Sequence, residues 1–282
     1  PYTTLFRSRV VLYLLLGTAA LAMMAPLLIM VSTSLKPMDE IRGGSLFALP
    51  QAPTLEAWGK AWGGRDGGGG LSGQFVNSFV IVFPALFLSV GLGSLTGYAL
   101  SLWKLRFANL LFAAVLIGLF IPPQVTLYPM IVLVRELGLF GTVPGLVLVH
   151  VVWGLAFVTL LFRNFFQSVP ADLMKAARID GAGFLAIFWH IMLPLSLPVF
   201  AVAVILQFTY IWNDFLLGLT FSGRGSQPVT VALNNLVGSQ FGEQEYNVNM
   251  AATMLAALPT VLVYLFSGRL FVRGIAAGAV KG

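Results

Sequence analysis

The stretch FVNSFVIVFPALFLSVGLGSLTGYALSL, residues 75–102, runs for 28 positions without a charged side chain. A helix on the surface of a soluble domain keeps a polar face, and this stretch has none. About 20 apolar residues in a helix cross the hydrocarbon of a bilayer. Working outward, the same pattern recurs. Residues 10–31, 107–134, 191–213 and 248–268 are also free of charge, and residues 138–162 carry only His150. The expected fold is all-α: a polytopic membrane protein of six transmembrane helices, at about 10–31, 75–102, 107–134, 143–164, 191–215 and 248–270. The expected organisation is a short segment, 1–9, followed by one transmembrane domain, 10–282. Pro26 and Pro84 read as kinks, and prolines at span edges read as helix starts. Strands of a membrane barrel would alternate in short segments, which these tracts do not.

Composition agrees. Hydrophobic residues make up 58% of the 282 and charged residues 9%, against about 25% charged in a soluble domain. The formal net charge is +6, and its placement is topological. With the N-terminus inside, the inner face collects Arg7, Arg9, Lys104, Arg106, Arg163, Lys175, Arg178, Arg269, Arg273 and Lys281, with only Asp172 and Asp180 as acids. The outer face collects Lys36, Arg42, Lys60, Arg65, Arg135 and Arg224 with most of the acids. Both termini are therefore expected in the cytoplasm. A nucleic-acid surface would gather its basic residues on one face, and these are divided. The partner expected from composition is lipid, with no nucleic acid.

Several chemistries are absent. With no cysteine there are no disulfides, thiolate nucleophiles or cysteine-based zinc sites. None of the five lysines precedes Ser or Thr, so no phosphate-binding loop of the Gly-Lys-Ser/Thr type exists. His150 has no acid within its own span and reads as a packed neutral side chain, as does His190 at a membrane edge. No carboxylate pair suggests hydrolysis. The chain reads as not an enzyme, with no catalytic residue, cofactor or metal site of its own. Residues 1–9 are set aside, because PYTTLFRS does not start with Met and resembles a translated sequencing-adapter fragment. Residues 10–31 are too long for a signal-peptide core. Trp58 and Trp62 read as anchors on a short interfacial helix, and GGRDGGGG, residues 63–70, as a flexible linker.

Between the fourth and fifth apolar tracts lies ADLMKAARIDGAGFLAIFWHIMLPLSLP, residues 171–198. Pro170 suits a helix start. Leu173, Ala176, Ala177 and Ile179 follow at helical spacing. Gly181 permits a turn that other residues resist. A second short helix, 184–190, leads to Pro194. The expected element is a helical hairpin, about 170–190, lying on the cytoplasmic membrane face.

This segment resembles the EAA loop of ABC importer permeases, by which such subunits grip their ATPase. Ala176, Ala177, Asp180, Gly181, Leu193 and Pro194 fit its pattern. Lys175 stands where the family usually has Glu, and Asp172 is not placed to replace it simply. More of the chain is similar to the carbohydrate-uptake branch, the permeases like the maltose permease G protein. Asn77-Ser78, residues 97–100 (GYAL), Ile121-Pro122, Tyr128-Pro129, residues 137–139 (LGL), Phe165-Phe166, residues 212–215 (WNDF) and residues 277–282 (AGAVKG) fall in family order.

The resemblance implies an inner-membrane subunit of a bacterial binding-protein-dependent importer. Its partners would be a second permease like the maltose permease F protein, two ATPase subunits and an extracytoplasmic solute-binding protein. ATP and magnesium would sit in the ATPase. The residues implied in coupling are Asp172, Lys175, Ala176, Ala177, Asp180, Gly181 and Ala182. The segment 221–249, with Asn234, Asn235, Gln240, Gln244 and Asn247, is either a loop entering the binding protein or a solvated connector. Asn77, Tyr210, Trp212, Asn213 and Asp214 are candidates for the pathway. Amides and rings suit a sugar, but helix-packing contacts explain such groups as well, and that is the reading for Gln207. Trp212 is open to a second reading as an interfacial anchor. The expected solute is a sugar or oligosaccharide. The alternative is another solute such as glycerol phosphate or an amino acid, though a phosphate would recruit Arg or Lys, which the span interiors lack. An ion-coupled carrier would show intramembrane ionisable groups and repeated halves, and neither is seen.

Overall fold

The structure, a computed structural model, describes residues 2–45, 47–65, 68–103, 105–238 and 244–279. Lys104, Gln240 and the closing residues 280–282, named above for topology, loop and tail, lie outside them. The chain divides into two compact units, residues 1–72 with 232–257, and residues 73–231 with 258–282.

In the first unit, α1 (Tyr2–Ser34) runs unbroken through the segment set aside above and keeps Pro26 inside. Helices α2 (Met38–Gly43) and α3 (Glu56–Gly63) follow. α3 is tied down by Trp58, whose indole N–H donates to Ser34 Oγ at 3.2 Å, and it buries Ala57 and Ala61. The glycine run is not merely a linker. Gly64–Arg65 (β1) and Gly68–Gly69 (β2) pair antiparallel, and Leu71 N–H donates to Ala61 O at 3.0 Å. The cause is Gly64, whose φ of 83° turns the chain where a side chain would resist.

In the second unit, α4 (Ser72–Leu102), which keeps Pro84 inside, and α7 (Val143–Phe166) are long uninterrupted helices. They meet at two glycines. A Cβ on Gly93 would lie 2.6 Å from Val158 Cγ1, and one on Gly97 would lie 2.8 Å from Arg163 N and 3.0 Å from Thr159 O. Small residues let membrane helices approach this closely.

The third expected span is not one rod. Helix α5 (Ala108–Phe120) and α6 (Pro123–Glu136) meet at 107°. Pro122 and Pro123 remove two amide donors, and Ile121, which precedes proline, is extended with ψ 121°, so the helix breaks there. The fifth also differs from 191–215. Helix α8 (Ala171–Ile179), α9 (Phe184–Ile187), a π-helix (Phe188–Met192) and α10 (Leu193–Leu195) precede α11 (Leu197–Trp212). The arm 184–195 meets α11 at 81°. Pro194 and Pro198 on either side of Ser196 set that corner. Asn213 and Asp214 lie beyond the end of α11.

Helix α12 (Leu216–Phe221) follows, then α13 (Val229–Gly238), within the segment expected as a loop. Helix α14 (Tyr246–Ala279) ends the described chain and contains Pro259. Among the described residues four helices are long and apolar enough to cross a membrane, or six if each bent pair counts as one span.

Candidate functional site

The hairpin is built from its turn. Gly181 N–H donates to Arg178 O at 3.1 Å and Ala182 N–H to Ala177 O at 2.9 Å, after Asp180 N–H to Ala176 O at 3.0 Å. Gly181 has φ 80°. These paired bonds around a left-handed residue form a Schellman helix end, with Gly181 at C′. The sequence AARIDGA is thus a stop signal: Ala176 and Ala177 supply carbonyls, Gly181 supplies the turn, and Ala182 closes it. Lys175 has a local partner after all, Asp172 Oδ1 at 2.8 Å, one turn back. Both are highly exposed, so the pair adds little stability.

One face of the hairpin is locked to the spans. Met174, Ala177, Ile187, Phe188 and Met192 are buried in one cluster with Tyr98, Phe162 and Phe166. The other face carries apolar side chains outward. Ile179 is 85% exposed, and Leu173, Leu185 and Trp189 are exposed as well. Arg178 stacks over the Trp103 ring at 4.6 Å, holding the first arm against the end of α4.

The candidate pathway residues lie in the second unit, and all five are already engaged. Asn77 Nδ2 donates to Gly225 O at 3.1 Å and Gln227 O at 3.2 Å. Trp212 is 1% exposed and enclosed by Phe75, Phe79 and Phe208 at centroid distances of 5.6, 4.8 and 5.8 Å, so here it is a packing residue, not an open stacking face or an interfacial anchor. Asn213 Oδ1 accepts from Thr260 Oγ1 at 3.3 Å. Asp214 accepts from Leu217 N at 3.3 Å and Gly218 N at 2.9 Å and so caps α12, while its carbonyl accepts from Thr230 Oγ1 at 2.6 Å. Tyr210 is 41% exposed, and its ring stands edge-on to His150 at a centroid distance of 6.4 Å.

His150 is packed as expected, at 2% exposure, and its Nε2 lies 3.9 Å from Oδ2 of Asp214, which follows the end of α11. No spacing along the chain signals this pairing. Neither His150 Nδ1 nor the buried Gln207 Nε2 has a hydrogen-bond partner among the described residues. Gln207 packs against Gly154, consistent with a helix contact. His190 is exposed, and its Nδ1 lies 2.9 Å from Ala186 O. No group of three His, Cys, Asp or Glu side chains that could hold a metal occurs among the described residues.

Removing the cap carboxylate is expected to loosen α12. Asp214→Ala should cost about 1–2 kcal/mol, read as a lower melting temperature of the solubilised chain, whereas Asp214→Asn should recover most of it. Equal melting of the alanine variant and the parent would refute the capping role.

Residues 89–277 match the family described as binding-protein-dependent transport system inner membrane component. The chain belongs to that family. This permease is 31% identical to a probable ABC transporter permease of Pyrococcus horikoshii, over 95% of this chain and 96% of the relative. It is 37% identical to the osmoprotective-compound uptake permease of Synechocystis, over 73% and 70%, and 34% identical to the sn-glycerol-3-phosphate permease of Yersinia pestis, over 71% of each. The shared stretch covers from 64% to 96% of the length of the relatives it matches. In fold it is similar to a chain of a bacterial ABC transporter that imports alginate, with TM-score 0.80 and 23% identity over 93% of this chain and 95% of that one. The permease is a multi-pass inner-membrane transport component, not an enzyme.

Proposed function

We propose that the permease forms half of the translocation pathway of an ATP-driven importer for a neutral carbohydrate or polyol, with both termini in the cytoplasm and the hairpin α8–α9 as the docking site of a separate ATP-hydrolysing subunit. The observation that carries this reading is the two-sided hairpin: Met174 and Ala177 sunk into the core, Ile179 bare on the other side. Asp172, Lys175, Ala176, Ala177, Asp180, Gly181 and Ala182 shape or border that surface. ATP and magnesium belong to the docked subunit. A second permease and an extracytoplasmic binding protein complete the assembly.

A neutral solute is favoured because Arg163, the one Lys or Arg between residues 10 and 268 in the four unbroken spans, is engaged with Asn109 Oδ1 at 2.9 Å and with the Phe112 ring. The fold shared with an importer of the acidic polysaccharide alginate supports a carbohydrate and does not bear on its neutrality. The likeness to a glycerol-phosphate permease favours a second reading, a phosphorylated polyol.

The test uses the assembled importer in vesicles. Ile179→Asp should weaken ATPase recruitment about 10- to 100-fold, as loss of a central apolar anchor does, and should abolish ATP-driven uptake of neutral oligosaccharides while leaving the chain in the membrane. Undiminished recruitment would sink the docking surface. Uptake of glycerol 3-phosphate and of no neutral sugar would favour the second reading.

A further inference from the structure

The hairpin is covalently joined to α7 on one side and to α11 on the other, and a buried side chain of a third helix also grips it. Tyr98, in α4, is fully buried. Its hydroxyl donates to Phe184 O at 3.2 Å, across 86 residues of sequence. Its ring is met by Phe184 at 4.8 Å, Phe188 at 5.4 Å, Phe166 at 5.9 Å and Trp103 at 6.3 Å. The bonded carbonyl is the first of the hairpin's second arm, and Phe188 opens the π-helix, where Leu193 N–H reaches back five residues to Phe188 O. A π-turn holds its register only with outside support, and such turns concentrate at functional places. Next to Tyr98, Gly97 sets α4 directly on the α7 backbone. Two consecutive residues thus fasten α4 to its neighbour span and to the hairpin.

We infer that Tyr98 is a positioning residue for transport: it makes α4 and the second arm of the hairpin a single rigid body, so that displacement of the hairpin by its nucleotide-driven partner moves span α4 directly. This rests on the reading of the hairpin as an ATPase docking site. The hydroxyl bond fixes orientation and the four rings fix distance. Covalent linkage alone would reach α4 only by way of α7, through the contacts at Gly93 and Gly97, and not from the second arm of the hairpin.

The experiment places spin labels at Leu185, an exposed residue of the hairpin's second arm, and at Phe87, an exposed residue of α4. Their separation is measured in the assembled importer, nucleotide-free and trapped with ATP and vanadate. With Tyr98 present the distance distribution should be narrow and the same in both states. In Tyr98→Phe, which removes only the hydroxyl, trapping should shift and broaden it, and solute moved per ATP should fall about fivefold, the scale of one net hydrogen bond. Tyr98→Met, which fills space without a ring or donor, should show the larger shift. A photo-crosslinker at position 179 on the same complex reports docking of the ATPase. Docking intact with the Tyr98→Phe distance unchanged by trapping overturns the role of Tyr98 alone. A shift already present in the parent overturns it as well, and so does failure of both variants to assemble, since Tyr98 would then only serve folding. Absence of crosslinking in the parent removes the docking reading and this inference with it.

Discussion

Gly97→Leu is expected to leave little assembled, active importer. A Cβ at this position would lie 2.8 Å from Arg163 N, 2.9 Å from Phe162 Cβ and 3.0 Å from Thr159 O. Two of these atoms are backbone and cannot rotate away, so α4 must move off α7. Forcing even one or two methylenes into a packed core costs about 1–3 kcal/mol, and here a whole isobutyl group must be accommodated. The damage spreads to the next residue, because Tyr98 loses its register against Phe184. Membrane abundance, thermal melting and binding-protein-stimulated ATP hydrolysis should all fall. Gly91→Leu is the control: it lies on the same helix, and nothing stands within 4 Å of its Cβ position. If both variants behave alike, the α4–α7 contact is not what Gly97 serves.

Gly181→Val should stop transport by another route. No atom lies within 4 Å of a Cβ at Gly181, so crowding is not the difficulty. The difficulty is φ 80°, where a β-branched residue is strained by about 1–3 kcal/mol. The strain is relieved by unmaking the Schellman bonds from Gly181 and Ala182, which swings the second arm away from its place under α4. The subunit should remain in the membrane at normal levels while binding-protein-stimulated ATP hydrolysis and uptake are lost. Asn tolerates the left-handed region far better than other side chains, so Gly181→Asn should keep much of the activity and Gly181→Ala should fall between. A series in which valine and asparagine are indistinguishable would refute the turn argument.

How much of this was legible in the sequence depends on whether the cause was local. Helices α4 and α7 could be read nearly to the residue, because an uncharged run of that length has one stable form in lipid. The hairpin turn was legible too, since a left-handed helix end demands glycine and Gly181 follows a helical pattern. The elbows were only half legible. Pro122-Pro123 announces a break, but the 107° between α5 and α6 is set by what each arm packs against. The glycine run looked like a linker because pairing of Gly64 with Gly69 leaves no side-chain signature. Least legible were contacts across spans. Nothing near His150 points to Asp214, and nothing near Tyr98 points to Phe184. Trp212, left open between a pathway ring and an interfacial anchor, is enclosed by Phe75, Phe79 and Phe208, two of them from a distant stretch of chain.

The elbow between α5 and α6 has a bearing on the membrane itself. At about 1.5 Å per residue, 13- and 14-residue arms reach roughly 20 Å each, short of the some 30 Å of a hydrocarbon layer. Where they join, the last carbonyls of α5 face Pro122 and Pro123, which have no hydrogen to offer. Acyl chains cannot solvate those oxygens. The corner must therefore rest against protein or admit water, so this stretch of the subunit is expected to hold a packed neighbour or ordered water where a straight span would meet acyl chains.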